Sequence, residues 1–287
     1  GLAVVIVLVL GCAAHSKSVT LAHKFKKGQV DKYRFSMDMK MHLPGLPIGP
    51  QSMTMKMSTV MKQKVLDVAN DGSAVLEVSI SDFKISCPQI PDAQAPKMPA
   101  TSMRMTLSRD GRLLAMEGMD AMMARSQTPG LDFSQLAGQM GCYSVFPEVP
   151  IEVGQSWRNT IPMPFDCGEM NVDSTLVAAA LPVGNGVASK IKQTYDAYID
   201  FGKIMQAVAS SDQVPAEAAR IAASMNGGMD MVGWPVLYFS PDRGKLLKAN
   251  GNMQAVMNID MPAEAVAQGA PSKLNMKMSM DLNMARI

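Results

Sequence analysis

Methionine is the residue type whose number and spacing could do chemistry here. The chain carries 28 methionines among 287 residues, and many recur as Met-x-Met, which puts successive sulfurs on one face of an extended strand. Met37, Met39 and Met41 form one such run, and Met53, Met55 and Met57 a second. Met103 with Met105, and Met276 with Met278, form two more. A thioether is unbranched, polarizable and apolar, so a methionine face has three uses. It can fill a core as adaptable packing, or line a cavity that repacks around a lipid or another apolar ligand. It can also offer soft donors to Cu(I) or Ag(I), for which Met37 and Met39 facing Met55 and Met57 are the best-placed pairs. Packed core is the plainest expectation, a ligand face the first functional one and a soft-metal site the second.

The remaining reactive side chains do not assemble a catalytic constellation, so neither an enzyme nor a cofactor is expected. Of the three histidines, His15 lies in a short polar stretch, while His23 and His42 read as solvated strand-edge residues and not as general bases. No Gly-x-Ser-x-Gly or His-Glu-x-x-His occurs, and Gly184-Asn185-Gly186-Val187-Ala188-Ser189 lacks the third glycine of a nucleotide loop, so it reads as a turn. Asp166 and Glu169 are close in sequence, but isolated carboxylates are ordinarily solvated. Trp157 and Trp234 read as core or strand-cap aromatics. There is no Cys-x-x-Cys, and no histidine stands at zinc-ligand spacing from a cysteine. Cys142 and Cys167 flank a Pro-rich segment and are the first candidates for a disulfide, with Cys87 left over. A net charge of +2 with Lys and Arg scattered along the chain argues against nucleic acid as a partner, because phosphate neutralisation needs a concentrated basic face.

The elements that must carry these residues are strands. Tyr33, Phe35, Met37, Met39 and Met41 alternate with Arg34, Ser36, Asp38, Lys40 and His42, the period-two pattern of a half-buried strand. A Pro/Gly loop at 43–51 turns the chain into a second strand, in which Met53, Met55, Met57 and Met61 alternate with Thr54, Lys56, Ser58 and Lys62. Asn70-Asp71-Gly72 predicts a turn into a strand from Ala74 to Ile80. Asp110-Gly111 predicts a tight return between the Met103–Leu107 and Leu113–Met116 strands. Further strands are expected near Val236–Phe239, Leu246–Asp260 and Leu274–Met284. Helices are expected only at Met119–Ser126 and at Val214–Met225, where Pro215 sits in the first turn. The second half echoes the first: Phe25-Lys26-Lys27-Gly28-Gln29 matches Ile151-Glu152-Val153-Gly154-Gln155, and Leu107 to Leu114 matches Phe239 to Leu247. The expectation is a mainly β (α+β) chain of antiparallel curved sheets or an open barrel. It is built from two related hairpin-rich halves, 21–146 and 147–287, within one continuous domain and with a few short helices. With 47% apolar and 18% charged residues, the composition suits a globular body with a substantial core.

At the N-terminus, Leu2 to Leu10 is an uninterrupted apolar run, too short to span a bilayer and of a length that suits a signal-peptide core. Val9-Leu10-Gly11-Cys12 follows, and it resembles the bacterial lipobox. That resemblance implies a signal peptide over 1–11, lipidation of Cys12 and a polar tether over 12–20. Two or three acyl chains anchor stably where one does not. The implied location is the cell envelope, lipid-anchored to a membrane and facing the periplasm or the exterior, with an apolar ligand or an envelope protein as partner. Phe146 to Trp157 resembles the Pro-x-x-x-Val-x-x-Gly-x-x-Trp segment of uncharacterised bacterial lipoproteins and secreted proteins, with Ile151 at its Val position. A lipid-anchored, hairpin-rich sheet is also similar, at the level of fold alone, to the periplasmic lipoprotein-carrier group, whose open barrel holds acyl chains.

Overall fold

Period-two alternation extends into long strands, up to 17 residues in one case. The computed structural model of the chain describes residues 18–44, 51–88, 101–117, 145–163, 166–209, 220, 223–267 and 271–287. A first series runs β1 (Val30–His42), β2 (Ser52–Val68), β3 (Ala74–Ser86), β4 (Thr101–Leu107) and β5 (Leu113–Glu117), each antiparallel to the one before. A second runs β6 (Ser156–Pro162), β7 (Gly168–Val183), β8 (Gly186–Asp200), β9 (Asn226–Gly233), β10 (Val236–Ser240) and β11 (Lys245–Asp260). The last strand, β12 (Lys273–Arg286), lies between β1 and β11 and joins both series, among the described residues, into one antiparallel sheet of 12 strands. The fold is mainly β, as the alternation predicts.

β9 and β10 occupy one lane of the sheet in succession, since both pair with β8 and with β11. The chain passes from one to the other at Trp234-Pro235. Proline has no N–H to give to a ladder, and the break is held by its neighbours. Gln193 donates its backbone N–H to the Pro235 carbonyl (2.9 Å), and Trp234 donates to the Asn252 carbonyl (2.9 Å).

With β9 and β10 counted as one lane, the two series repeat one five-lane unit in the same order. The repeated hydrogen bonds at their starts are the physical content of the echo between Gly28-Gln29 and Gly154-Gln155. Gly28 donates to the Val65 carbonyl (2.9 Å) and Val65 to the Gln29 carbonyl (2.9 Å); Gly154 donates to Leu176 (2.8 Å) and Leu176 to Gln155 (3.0 Å). Both glycines have positive φ, 80° and 93°, a backbone conformation that favours a residue without Cβ. The segments that precede the two series meet in an antiparallel bridge between Val19 and Ile151.

The long strands run through two apolar clusters stacked along their length. The first gathers Tyr33, Met61, Val65, Leu76, Leu107, Ile191, Leu237 and Phe239 with Leu21, Phe146 and Ile151 from the connecting segments. The second gathers Met170, Val172, Ile199, Met229, Met231, Met253 and Met280. Helix α1 (Phe201–Ala209) brings Phe201 and Ile204 against the second cluster. It is not among the helices expected above, and neither is the short α2 (Ala263–Ala267). Of the helix expected over Val214–Met225, Arg220, Ala223 and Ser224 are helical and Met225 is not, the other positions lying outside the described residues. The Met119–Ser126 segment, the N-terminal apolar run and Cys12 also lie outside them.

Candidate functional site

The register of the sheet converts Met-x-Met into rows of sulfurs. Met41 on β1 stands directly opposite Met53 on β2 and Met278 on β12. One step along the strands, Met39 stands between Met55 and Met280, and Met280 in turn faces Met253 on β11. Met37 faces Met57 on one side and Leu282 on the other. Beyond Met278 the Met41 row continues through Ala255, Met231, Ala197 and Met170 on β11, β9, β8 and β7. Met276, Met257 and Met229 make a further row at its edge. Directly opposed residues on one sheet face are close enough for their side chains to touch, so one apolar surface runs across seven lanes.

Burial divides this surface in two. In the β7–β11 part, Met170, Met231 and Ala255 are each 2% exposed and Met253 is 3% exposed. They are packed by one another, by Met163 and by the residues of α1. These methionines are core, each contributing about 1.5–3 kcal/mol by leaving water. Toward β12 and β1, Met37, Met39 and Met278 are half-buried against that cluster. Met41, Met53, Met55, Met57 and Met276 are half-buried and belong to neither cluster. Polarity alternates cleanly, with Asp38, Lys40, His42 and Lys56 exposed on the opposite face.

Several residues are placed differently from expectation. Met103 and Met105 do not join the methionine face: Met105 is 4% exposed in the first cluster and Met103 packs against it, because β4 pairs with the Ala74–Ile80 part of β3, which lies at the other end of the strands. His23 is not a solvated edge residue. It is buried, stacked on Phe25 at 5.5 Å between ring centroids and set edge-on to Phe239 at 5.3 Å. Burial pushes its pKa down from 6.5 to about 4, against the opposing pull of Asp110 and of a backbone hydrogen bond at Gly244. Trp234 is 46% exposed and not a core aromatic, since the strand break beside Pro235 turns it outward. Trp157 fits the strand-cap reading, donating its indole N–H to the Val145 carbonyl at 3.0 Å. His42 is exposed and hydrogen-bonded to the Ser52 hydroxyl at 3.0 Å. Asp166 and Glu169 are exposed.

Cys167 is buried in the second cluster, and desolvation raises its thiol pKa. Cys87 is also buried, and Cys142 lies outside the described residues. Among the described residues no group of three or more His, Cys, Asp or Glu side chains could hold a metal ion. The buried charges lie at the opposite end of the strands, where Asp31 meets Lys245 at 3.0 Å and Arg286 at 2.8 Å. Beside them is a void of ≈ 20 Å³ lined by His23, Gln29, Asp31, Gln63 and Lys245 among others, room for about one water molecule.

No family model matches the chain, and no curated protein matches it. Among solved structures, the chain is similar to DynF from the dynemicin biosynthesis pathway of Micromonospora chersina at a TM-score of 0.22 and 8% identity, over 94% of this chain and 85% of that one. A structure reported under asymmetric conductivity of engineered proteins gives a TM-score of 0.22 and 5% identity, over 90% of this chain and 100% of that one. At such scores neither likeness carries an argument about fold or function.

Proposed function

We propose that the chain is a lipid-anchored protein of the cell envelope, held at Cys12, whose methionine face takes up an apolar chain such as a fatty acyl group. The observation that carries the ligand reading is the division of the face: its β7–β11 part is filled, while Met41, Met53, Met55 and Met57 extend the same apolar surface beyond the packed cluster. Unbranched thioethers adapt to the contour of a flexible chain, and a ligand laid along these rows would remove their remaining exposed area from water. The address rests on the apolar run ending in Gly11-Cys12.

Native mass spectrometry of the chain isolated from a bacterial envelope, with detergent removed, tests both parts. A fatty-acid or phospholipid mass that leaves on denaturation supports the site, and an acyl-modified Cys12 peptide supports the anchor. A bare mass together with no binding of a fluorescent fatty acid would sink the ligand reading.

An exposed apolar patch favours a second reading, a module that binds another envelope protein. On the outer face, Tyr198, Val232, Trp234 and Val256 are 54%, 37%, 46% and 39% exposed. The register sets Asp230 between Tyr198 and Val256, with Val232 and Trp234 following along the same face of the chain. Aromatic side chains such as these are enriched at protein interfaces. Crosslinking in intact cells through a photoreactive residue at position 234 tests it, and the absence of any protein adduct counts against it.

A further inference from the structure

We propose that Met41, Met53 and Met278 form a binding site for one soft monovalent cation, Cu(I) or Ag(I), through three thioether sulfurs. The inference rests on the register of the rows and does not depend on the apolar-ligand reading.

Three features separate this row from the others. Met41 is on the central strand and has a methionine directly opposite on each side, Met53 on β2 and Met278 on β12. Adjacent strands lie about 4.8 Å apart, so the outer two backbones are separated by roughly twice that, and three long unbranched side chains can converge above Met41. All three residues are half-buried, which leaves an ion a path in. The next residue in the row is Ala255, so the run of sulfurs from β2 ends at Met278 with three donors. The Met37 row offers two sulfurs and then Leu282. The Met39 row has four, but Met253 and Met280 are 3% and 7% exposed within the packed cluster. The pairs singled out from sequence, Met37 and Met39 with Met55 and Met57, are in direct register, yet each lacks either the third sulfur or the access that the Met41 row has.

The donor set fixes the class of ion. Thioethers are soft and neutral, so they suit Cu(I) and Ag(I) and leave the bound ion its full charge. The cost of holding charge against an apolar surface rises steeply with that charge, so a singly charged ion is tolerated where a divalent one is not. The charged side chains of this part of β1, Asp38 and Lys40, stand on the opposite face.

The test is titration of the full chain with Ag(I) in halide-free buffer, and with Cu(I) against a chromogenic competitor under anaerobic conditions. Methionine methyl groups carry a 13C label. The expected result is one equivalent bound, with the methyl signals of Met41, Met53 and Met278 shifting together. Met41→Leu keeps the shape and apolarity but removes a sulfur, so that equivalent should weaken at least tenfold. Met105→Leu, in the first cluster, should leave it unchanged. Absence of a stoichiometric equivalent, or equal binding by Met41→Leu, would overturn the site. Fatty-acid binding is measured on the metal-free wild-type chain, so failure of the metal site and failure of the ligand site are read separately.

Discussion

Arg286, on the last strand, closes on Asp31, near the start of the first, with its Nη2 2.8 Å and its Nε 3.0 Å from Asp31 Oδ1. Lys245 of β11 reaches the same oxygen at 3.0 Å, and Gln29 donates to the other one. Asp31 is 7% exposed in its side chain and Lys245 16%. This carboxylate therefore ties three neighbouring strands together at the end of the sheet where both series begin. Asp31→Ala would leave two cations partly buried without their partner, and breaking such a pair costs about 3–5 kcal/mol. Arg286 is 31% exposed, so water recovers part of that and the lower end of the range is expected. Urea unfolding, followed through the midpoint at unchanged slope, measures it; a loss below ~1 kcal/mol would mean that the cluster behaves like a surface ion pair.

The aromatic stack around His23 makes stability depend on pH in a definite direction. The unfolded chain protonates this imidazole near its ordinary 6.5, whereas burial delays protonation in the folded chain to about 4. Between those values the unfolded state binds more protons, so stability is fully present above about pH 6.5 and falls as pH drops toward 4. The gap corresponds to about 3 kcal/mol. The carboxylates of Asp67, Asp71 and Asp173 have pKa values held below their ordinary 3.8 by hydrogen bonds to Lys27, Ser73 and Arg158. Their contribution is lost at lower pH and does not mask the histidine window. His23→Phe keeps a ring between Phe25 and Phe239 and should flatten the stability profile between pH 6.5 and 4. An unchanged slope would place the titration elsewhere.

How far the sequence reveals this fold depends on the range of the interactions that decide each residue. β1 and β2 are legible because sulfur and charge alternate over many residues, and a slip of one position would bury Lys40 and Lys56. The turn at Asp71-Gly72 is legible because its chemistry is local: Asp71 Oδ1 accepts from the Ser73 N–H at 2.9 Å, and Gly72 has φ of 84°. β9 is not, since Asn226-Gly227-Gly228 has poor strand propensity. It is completed from outside, by the Tyr198 ring of β8, which occupies the space a Cβ on Gly228 would need. Helix α1 does carry a signal, apolar residues at Phe201, Ile204, Met205 and Val208 with Asp200 Oδ1 accepting from the Lys203 N–H at 3.3 Å. It follows β8 without a break and reads as its continuation. His23 could not be placed from its neighbours in sequence, because Phe146 and Phe239, which bury it, arrive from far along the chain.

Gly251 should be intolerant of any side chain. It lies on β11 beside the break between β9 and β10, and a Cβ there would fall 2.6 Å from the Pro235 Cα. The obstruction is backbone and cannot swing aside as a side chain would. Gly251→Ala is expected to cost about 1–3 kcal/mol by overpacking, with hydrogen-exchange protection lost first at the Trp234 and Gln193 amides that hold the break. A neutral effect would show that the proline segment can retreat from β11.

The division of the methionine face into a filled part and an open part makes the last expectation quantitative. Met280 is 7% exposed and packs in the second cluster, so Met280→Ala should cost about 2–5 kcal/mol through lost transfer energy and the cavity left behind. Met53 is half-buried outside both clusters, so the same truncation there should cost under about 1.5 kcal/mol. Binding should show the reverse order. Met53→Gln puts a polar amide on the open rows and should weaken a fluorescent fatty acid several-fold while leaving the unfolding midpoint nearly unchanged. If Met53→Ala proved as damaging to stability as Met280→Ala, the open rows would be ordinary core, and the outer patch around Trp234 would become the place to look for a partner.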